Sequence, residues 1–77
     1  MATELVPGIT ADAAVAFGKA VIAGTRITAA LVVGQLAGGM SVEEVRDEYD
    51  LTREQVMAAL RYAAWLAGQE SVRVRAS

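Results

Sequence analysis

Hydrophobic residues recur every three or four positions in two consecutive stretches of the chain, which is the spacing of one face of an α-helix. The first stretch runs from Val42 to Tyr49, and Asp50-Leu51 separates it from the second. The second stretch is longer, ends at Gly68 and carries its apolar residues along one stripe: Val56, Leu60, Ala63 and Ala67. The pattern therefore predicts two helices joined by a tight corner, the arrangement of a helix-turn-helix.

Each of these helices begins with a capping signal. Ser41 is followed three residues later by Glu44, and Thr52 stands in the same relation to Gln55. In such a capping box each of the two side chains accepts a hydrogen bond from a backbone N–H that the first helical turn leaves unpaired. The capping signals fix where both helices start.

A further helix is predicted from Ala29 to Ala37, with Thr28 as its N-cap and Gly38-Gly39 as its end. Its apolar residues, among them Leu31 and Val32, surround nearly the whole circumference. A helix of this kind is buried on most sides. We therefore expect it in the middle of the fold or across a dimer interface.

The N-terminal third reads as short extended segments and turns. Residues 1–6 are expected to form a flexible arm, and Pro7-Gly8 a turn before a short extended segment at Ile9–Ala11. Two apolar runs, residues 15–17 and 20–22, flank Gly18-Lys19, and glycine in the first position of a two-residue loop favours a type II′ β-hairpin.

The expected architecture is mainly α, with a short N-terminal β-hairpin followed by a three-helix bundle that contains the helix-turn-helix. It forms a single domain over residues 1–77. Its parts are a hairpin region at 9–27, the three-helix core at 28–67 and a C-terminal tail at 69–77.

The composition excludes several kinds of chemistry. The chain has neither cysteine nor histidine, so thiolate metal sites, zinc sites and catalytic triads are not expected. Its acids cluster on one short helix without a visible pocket, which argues against an enzyme that uses Mg²⁺. We therefore expect no catalytic residues and no cofactor.

Size and hydropathy point to self-association outside a membrane. A domain of this length buries only about 60% of its unfolded surface, yet 55% of the residues are hydrophobic, so a homodimer is expected. The longest uncharged run, residues 27–42, is too short to span a bilayer and contains three glycines. The N-terminus lacks the features of a signal peptide. We expect a soluble cytoplasmic protein with no membrane contact.

The charge pattern is divided along the chain. Five acids lie between Glu43 and Asp50, where Arg46 is the single base, whereas bases outnumber acids elsewhere. An isolated monomer is therefore expected to bind DNA weakly, and a dimer better. The candidate DNA-binding residues lie at the start and on the exposed side of the last helix: Thr52, Arg53, Gln55 and Arg61. The alternative is that Thr52 and Gln55 only cap the helix.

A tryptophan lies opposite the core stripe of the last helix. On that face Trp65 accompanies Glu54, Ala58 and Arg61, so it is either covered by the N-terminal hairpin or part of an interface, where aromatic residues are enriched. In the tail, valines alternate with arginines as in an extended strand that pairs with the hairpin or with a partner. The candidate residues for a partner or dimer interface are Leu31, Val32, Tyr62, Trp65, Arg73 and Arg75.

Four ordered blocks of sequence carry a resemblance to a known family. They are GKAVIAGTRI at residues 18–27, AGGMSVEEV at 37–45, YDLT at 49–52 and AALRYAA at 58–64. Together they resemble the domain of unknown function 433 family, whose members typically read GKPxIxGTRI, AxGxSxEEI, YPxLTxEDI and AALxYAA. Ala20 and Asp50 stand where proline is common in the family, which loosens two turns. The resemblance extends over roughly residues 9–67.

The resemblance implies a helix-turn-helix-like fold and a functional class. Many members of the family resemble antitoxins encoded beside a PIN-like ribonuclease toxin. By resemblance, the chain is expected to neutralise such a toxin by direct binding and to bind operator DNA as a dimer, with Arg73 or Arg75 reaching the carboxylates of the toxin. The alternative is a structural or protein-interaction module that does not bind DNA.

Overall fold

Three short strands precede three helices along the chain. The computed structural model describes residues 1–69. The strands are β1 (Thr3–Val6), β2 (Ile9–Ala11) and β3 (Val21–Ile22), and the helices are α1 (Ala29–Ala37), α2 (Val42–Tyr49) and α3 (Arg53–Gly68). The strands form one antiparallel sheet in the order β1-β2-β3. The fold is mixed α/β and mostly helical.

The hairpin of this sheet lies further towards the N-terminus than the sequence pattern predicts. Pro7 and Gly8 form the predicted turn, but they connect β1 to β2, with Val6 opposite Ile9. Gly8 has a φ of +87°, which together with the fixed φ of proline suits a type II turn. The prediction of a flexible arm at residues 1–6 was wrong, because Thr3–Val6 pairs along β2.

The predicted hairpin around Gly18-Lys19 was also wrong. Residues 16–18 form a single left-handed turn, with φ of +50° at Ala16, +58° at Phe17 and +79° at Gly18. Of the two apolar runs, only the second forms a strand, at Val21 and Ile22, and that strand pairs with β2 instead. The alternative pairing is preferred because it buries Ile22 directly beside Ile9 in the core, whereas Phe17 points into solvent.

The loop between β3 and α1 covers the outer edge of β3. The backbone N–H of Ile22 donates to the carbonyl of Ile27, and that of Ala29 donates to the carbonyl of Ala20. The hydroxyl of Thr25 closes the turn, since it donates to the carbonyl of Ile22 at 2.8 Å and accepts from the N–H of Ile27 at 3.0 Å. Edge strand β1 is short and bulged, features that discourage further strand addition.

The three helices begin and end where the capping signals predict. Thr28 accepts a hydrogen bond from the N–H of Leu31 at 3.1 Å. Ser41 and Glu44 form a complete capping box, with N···O distances of 2.9 and 3.1 Å. Asp50 adopts a left-handed conformation at the end of α2, which turns the chain sharply into α3. No helix within residues 1–69 is long and apolar enough to cross a membrane.

The core draws on the sheet and on all three helices. Its largest fully buried side chains are Ile9, Ile22, Val32, Val45 and Val56. Only Ala29 and Val32 of α1 are fully buried, so one side of this helix faces the core despite its apolar circumference. Helix α3 contacts α1, α2 and all three strands. It is the element around which the others pack.

The buried face of α3 differs from the predicted stripe. Val56 is buried as predicted, but Ala58 and Ala59 are buried too, while Ala67 is exposed. Ala58 was placed on the opposite face by periodicity. It is buried because the turn between β1 and β2 packs against it, so closely that a Cβ at Gly8 would lie 2.9 Å from the Cβ of Ala58.

Candidate functional site

The start of α3 presents exposed polar groups that are partly used by the helix itself. Thr52, Arg53 and Glu54 are all exposed. The hydroxyl of Thr52 accepts from the N–H of Gln55 at 3.1 Å, and the side-chain oxygen of Gln55 accepts from the N–H of Thr52 at 2.8 Å. The capping interpretation of this pair is therefore confirmed. Of the four candidate DNA-binding residues, Thr52 and Gln55 therefore have their side-chain oxygens occupied by the hydrogen bonds of the helix cap.

The arginines near this end each lie beside a glutamate. Arg53 is 3.9 Å from Glu43, which also receives a hydrogen bond from Arg46 at 3.0 Å. Arg61 donates to Glu54 at 2.7 Å and to the carbonyl of Pro7 at 3.4 Å. Such exposed pairs contribute little to stability. Their main effect is to neutralise the positive charge that a phosphate backbone would meet.

Helix α2 adds an acidic surface next to this region. Glu43, Glu44, Asp47 and Glu48 are all exposed. The backbone N–H of Ser41 donates to the carboxylate of Glu44 and lowers its pKa, with help from the Ser41 hydroxyl. Glu44 is therefore ionised at neutral pH. No three His, Cys, Asp or Glu residues within the described part of the chain are grouped so as to hold a metal ion.

The other end of α3 is apolar and exposed. Trp65 retains 45% of its accessible surface and Leu66 retains 44%. The ring of Tyr62 stacks on that of Trp65, with centroids 6.1 Å apart and planes inclined at 26°. We refer to Tyr62, Trp65 and Leu66 as the aromatic end of α3. Trp65 thus keeps nearly half of its surface accessible and is not among the residues packed against the core.

Of the remaining candidate interface residues, one is exposed, one is buried and two lie outside the described part of the chain. Leu31 is exposed on α1, with 39% of its surface accessible. Val32 is fully buried in the core, so its side chain is not on a surface that a partner can contact. Arg73 and Arg75 lie outside the described residues.

Two features were missed in the sequence. Phe17 is 97% exposed at the tip of the left-handed turn. Beside this turn lies an open cleft of about 320 Å³, lined by residues of the sheet and the loops next to it: Ala2, Thr10, Asp12, Val15, Val21, Gly24, Thr25 and Arg26. The sequence signal at Phe17 was an aromatic residue immediately before Gly18-Lys19, in a segment interpreted as a regular strand.

The fold and its surfaces define a small, mostly helical domain with two exposed regions at opposite ends of α3. The family model described as "Protein of unknown function (DUF433)" matches residues 9–63. The chain belongs to this family.

Comparison with solved structures gives a second finding. The crystal structure of Rv2018 from Mycobacterium tuberculosis is similar to 68% of this chain, with a TM-score of 0.61 and 31% sequence identity. The chain spans only 24% of the length of that protein. No curated protein matches the chain.

Proposed function

We propose that this chain is an antitoxin-like cytoplasmic protein that neutralises a PIN-like ribonuclease toxin by direct binding. The observation that supports the proposal is the aromatic end of α3. The family resemblance supplies the class of partner, and the exposed apolar side chains supply the contact surface. Homodimers of the chain also bind operator DNA in this proposal.

The spacing of the aromatic end suits a groove on another protein. Tyr62, Trp65 and Leu66 stand at positions i, i+3 and i+4 of the helix, the pattern by which an amphipathic helix enters an apolar groove. The last fully buried residue of α3 is Ala59, so the following nine residues of the helix extend about 13 Å past it. The stacked rings hold each other in place, which lowers the entropy lost on binding.

Substitution of the aromatic end is expected to abolish toxin binding. The double variant Trp65→Ser/Leu66→Ser removes two exposed anchors, and central aromatic anchors typically contribute about 2–4 kcal/mol each. We expect at least a hundredfold loss of affinity in co-purification and calorimetry with a PIN-like nuclease. Arg53→Ala is the matched control, because it changes the other end of the same helix. Equal binding by the double variant and the wild type would contradict the assignment.

For DNA, we propose that α2 and α3 act as a helix-turn-helix with α3 as the recognition helix. The supporting observation is that residues 52–54 are exposed at the start of α3, the part of a recognition helix that reaches base edges. The acidic surface of α2 opposes phosphate binding. Two copies of Arg53 and Arg61 in a dimer would offset this repulsion, so DNA binding depends on dimerisation.

The DNA proposal predicts opposite effects of two neighbouring substitutions. Arg53→Ala is expected to weaken binding to the operator duplex and to reduce the salt slope by about one for each protomer that contacts phosphate. Glu54→Gln removes the charge paired with Arg61 and is expected to strengthen binding. Fluorescence anisotropy at several salt concentrations measures both, with Trp65→Ser/Leu66→Ser as the control that binds normally.

The alternative function is a protein-interaction module without DNA binding. It is favoured by the glutamates that lie beside Arg46, Arg53 and Arg61. A wild-type protein that shows no salt-dependent affinity for the operator, while still binding the nuclease, would select this alternative.

A further inference from the structure

Phe17 is exposed to an unusual degree, and the backbone that presents it is strained. Its side chain is 97% exposed, so it contributes almost nothing to the core. Ala16 and Phe17 both have positive φ, which costs an L-residue about 1–2 kcal/mol. Strained backbone of this kind is concentrated at functional sites. The turn therefore holds a phenyl ring outward at a cost in stability.

The cleft beside the turn is large enough to admit one aromatic ring. Its volume is about 320 Å³, at the lower end of the roughly 300–1,000 Å³ of small-molecule pockets. Val15 and Val21 are among its apolar lining residues, and Thr10, which pairs with Val21 between β2 and β3, also lines it. Asp12 and Arg26 are the charged residues of the lining.

Phe17 lies two residues along the chain from Val15, which lines this cleft. Their Cα atoms are therefore at most about 7 Å apart. A two-fold axis requires that each contact occurs twice with the roles reversed. A side chain that protrudes next to a cleft on the same copy satisfies this requirement. Both can then lie close to the two-fold axis, where each side chain meets the cleft of the other copy.

A two-fold rotation would bring opposite charges together around the turn, a base of one copy near an acid of the other. Lys19 follows the turn and has no carboxylate partner among residues 1–69. Asp12 lies at the cleft and already pairs with an ammonium group, that of Met1, at 3.6 Å. The N–H of Ala14 donates to this carboxylate and lowers its pKa. A second ammonium group near Asp12 therefore meets an ionised acid.

We propose that two copies of the chain exchange Phe17, each phenyl ring entering the cleft of the other copy, with Lys19 of each near Asp12 of the other. The proposal specifies the surface of the homodimer on which the proposed DNA binding rests. It leaves the aromatic end of α3 free for a different partner. Phe17 and the aromatic end of α3 thus serve separate contacts.

The exchange forms a weak dimer. A buried phenylalanine contributes about 150–250 Å², so two rings and the matching cleft walls bury roughly 800 Å². This is below the roughly 1,200–2,000 Å² of a standard interface. We expect dissociation in the micromolar range, with monomers and dimers both present in a concentration series.

Analytical ultracentrifugation of the full chain tests the exchange. Phe17→Ala is expected to raise the dissociation constant at least tenfold without lowering the melting temperature, since the ring makes no contact with its own core. Leu66→Ala, an exposed apolar residue elsewhere, is the matched control and dimerises normally. A wild-type protein that stays monomeric would overturn both the homodimer and the exchange. A dimer unaffected by Phe17→Ala would overturn the exchange alone.

Cross-linking gives a second readout that does not depend on loss of binding. The chain has no cysteine, so single cysteines report specific proximity. Chains with Thr10→Cys and chains with Phe17→Cys, mixed and oxidised, are expected to form mostly the mixed disulfide, identified by mass. Predominance of either like pair would contradict the entry of residue 17 into the cleft.

Discussion

Replacing Gly8 with alanine is expected to leave much of the protein unfolded. Gly8 has a φ of +87°, and an added Cβ would lie 2.9 Å from the Cβ of Ala58. The left-handed conformation costs alanine about 1–2 kcal/mol, and forcing a methyl group into packed surroundings costs about 1–3 kcal/mol more. The core of so small a domain supplies only about 3–5 kcal/mol in total. Urea unfolding followed by circular dichroism measures the loss.

Gly24 offers a matched control for this substitution. Its φ of +79° is similar, but a Cβ there would meet nothing within 4 Å. Gly24→Ala is therefore expected to cost only the backbone strain of about 1–2 kcal/mol. Adding Ala58→Gly to Gly8→Ala should restore part of the lost stability, despite the lower helix propensity of glycine. Equal losses at Gly8 and Gly24 would show that the turn does not pack against α3 as described.

The second large effect is expected at Ile22. This residue is buried in β3 beside Ile9, and Ile22→Ala removes three carbon atoms from the core. Isoleucine-to-alanine substitutions at such positions cost about 2–5 kcal/mol, depending on how far the cavity collapses. With a melting-temperature shift of about 4–8 °C per kcal/mol for a domain of this size, the variant should melt at least about 8 °C lower.

Leu31→Ala controls for the effect of shortening an apolar side chain. Leu31 loses as many carbon atoms, but 39% of its surface is already exposed on α1. We expect a loss of about 1 kcal/mol. If Ile22→Ala were no more destabilising than Leu31→Ala, β3 would not occupy the core position between β2 and the helices. That result would instead favour the hairpin predicted from the sequence.

The helices could be predicted because their signals are local. Thr28, Ser41 and Thr52 each accept a hydrogen bond from a backbone N–H three residues later, and the residues that make this contact adjoin in the sequence. Helical bounds could therefore be determined without knowing what the helices pack against. The family resemblance rested on the same stretches and was confirmed by the family match.

The sheet could not be predicted in the same way, because its pairing is not local. β3 pairs with β2 across the whole segment from residue 12 to residue 20, and the nearer partner at residues 15–17 was the reasonable candidate. The deciding factor is burial of Ile22 beside Ile9, which depends on where α1 and α3 pack. Residues 1–6 were missed for a related reason, since Thr3-Glu4 is exposed and only Leu5 and Val6 pack against the core.

At the candidate site too, features set by the local sequence could be predicted, and features set by contacts with distant parts of the chain could not. The position of Trp65 outside the stripe of Val56 followed from helical periodicity, whereas its exposure did not, since the sequence left open whether the hairpin covers it. The burial of Ala58 did not follow from periodicity either, because it depends on the turn at Gly8 approaching from another part of the chain. Phe17 was missed because its left-handed backbone has no dependable signal in a single sequence, apart from the glycine that follows it.

Titration of a PIN-like nuclease, the partner class that we propose, tests the proposed function most directly. The purified nuclease, assayed for cleavage of a fluorescent RNA, is mixed with increasing amounts of this chain. Our account predicts that cleavage stops near one chain per nuclease and that Trp65→Ser/Leu66→Ser chains leave it active, while Arg53→Ala chains inhibit normally. Undiminished cleavage at a large excess of the folded wild-type chain would contradict it.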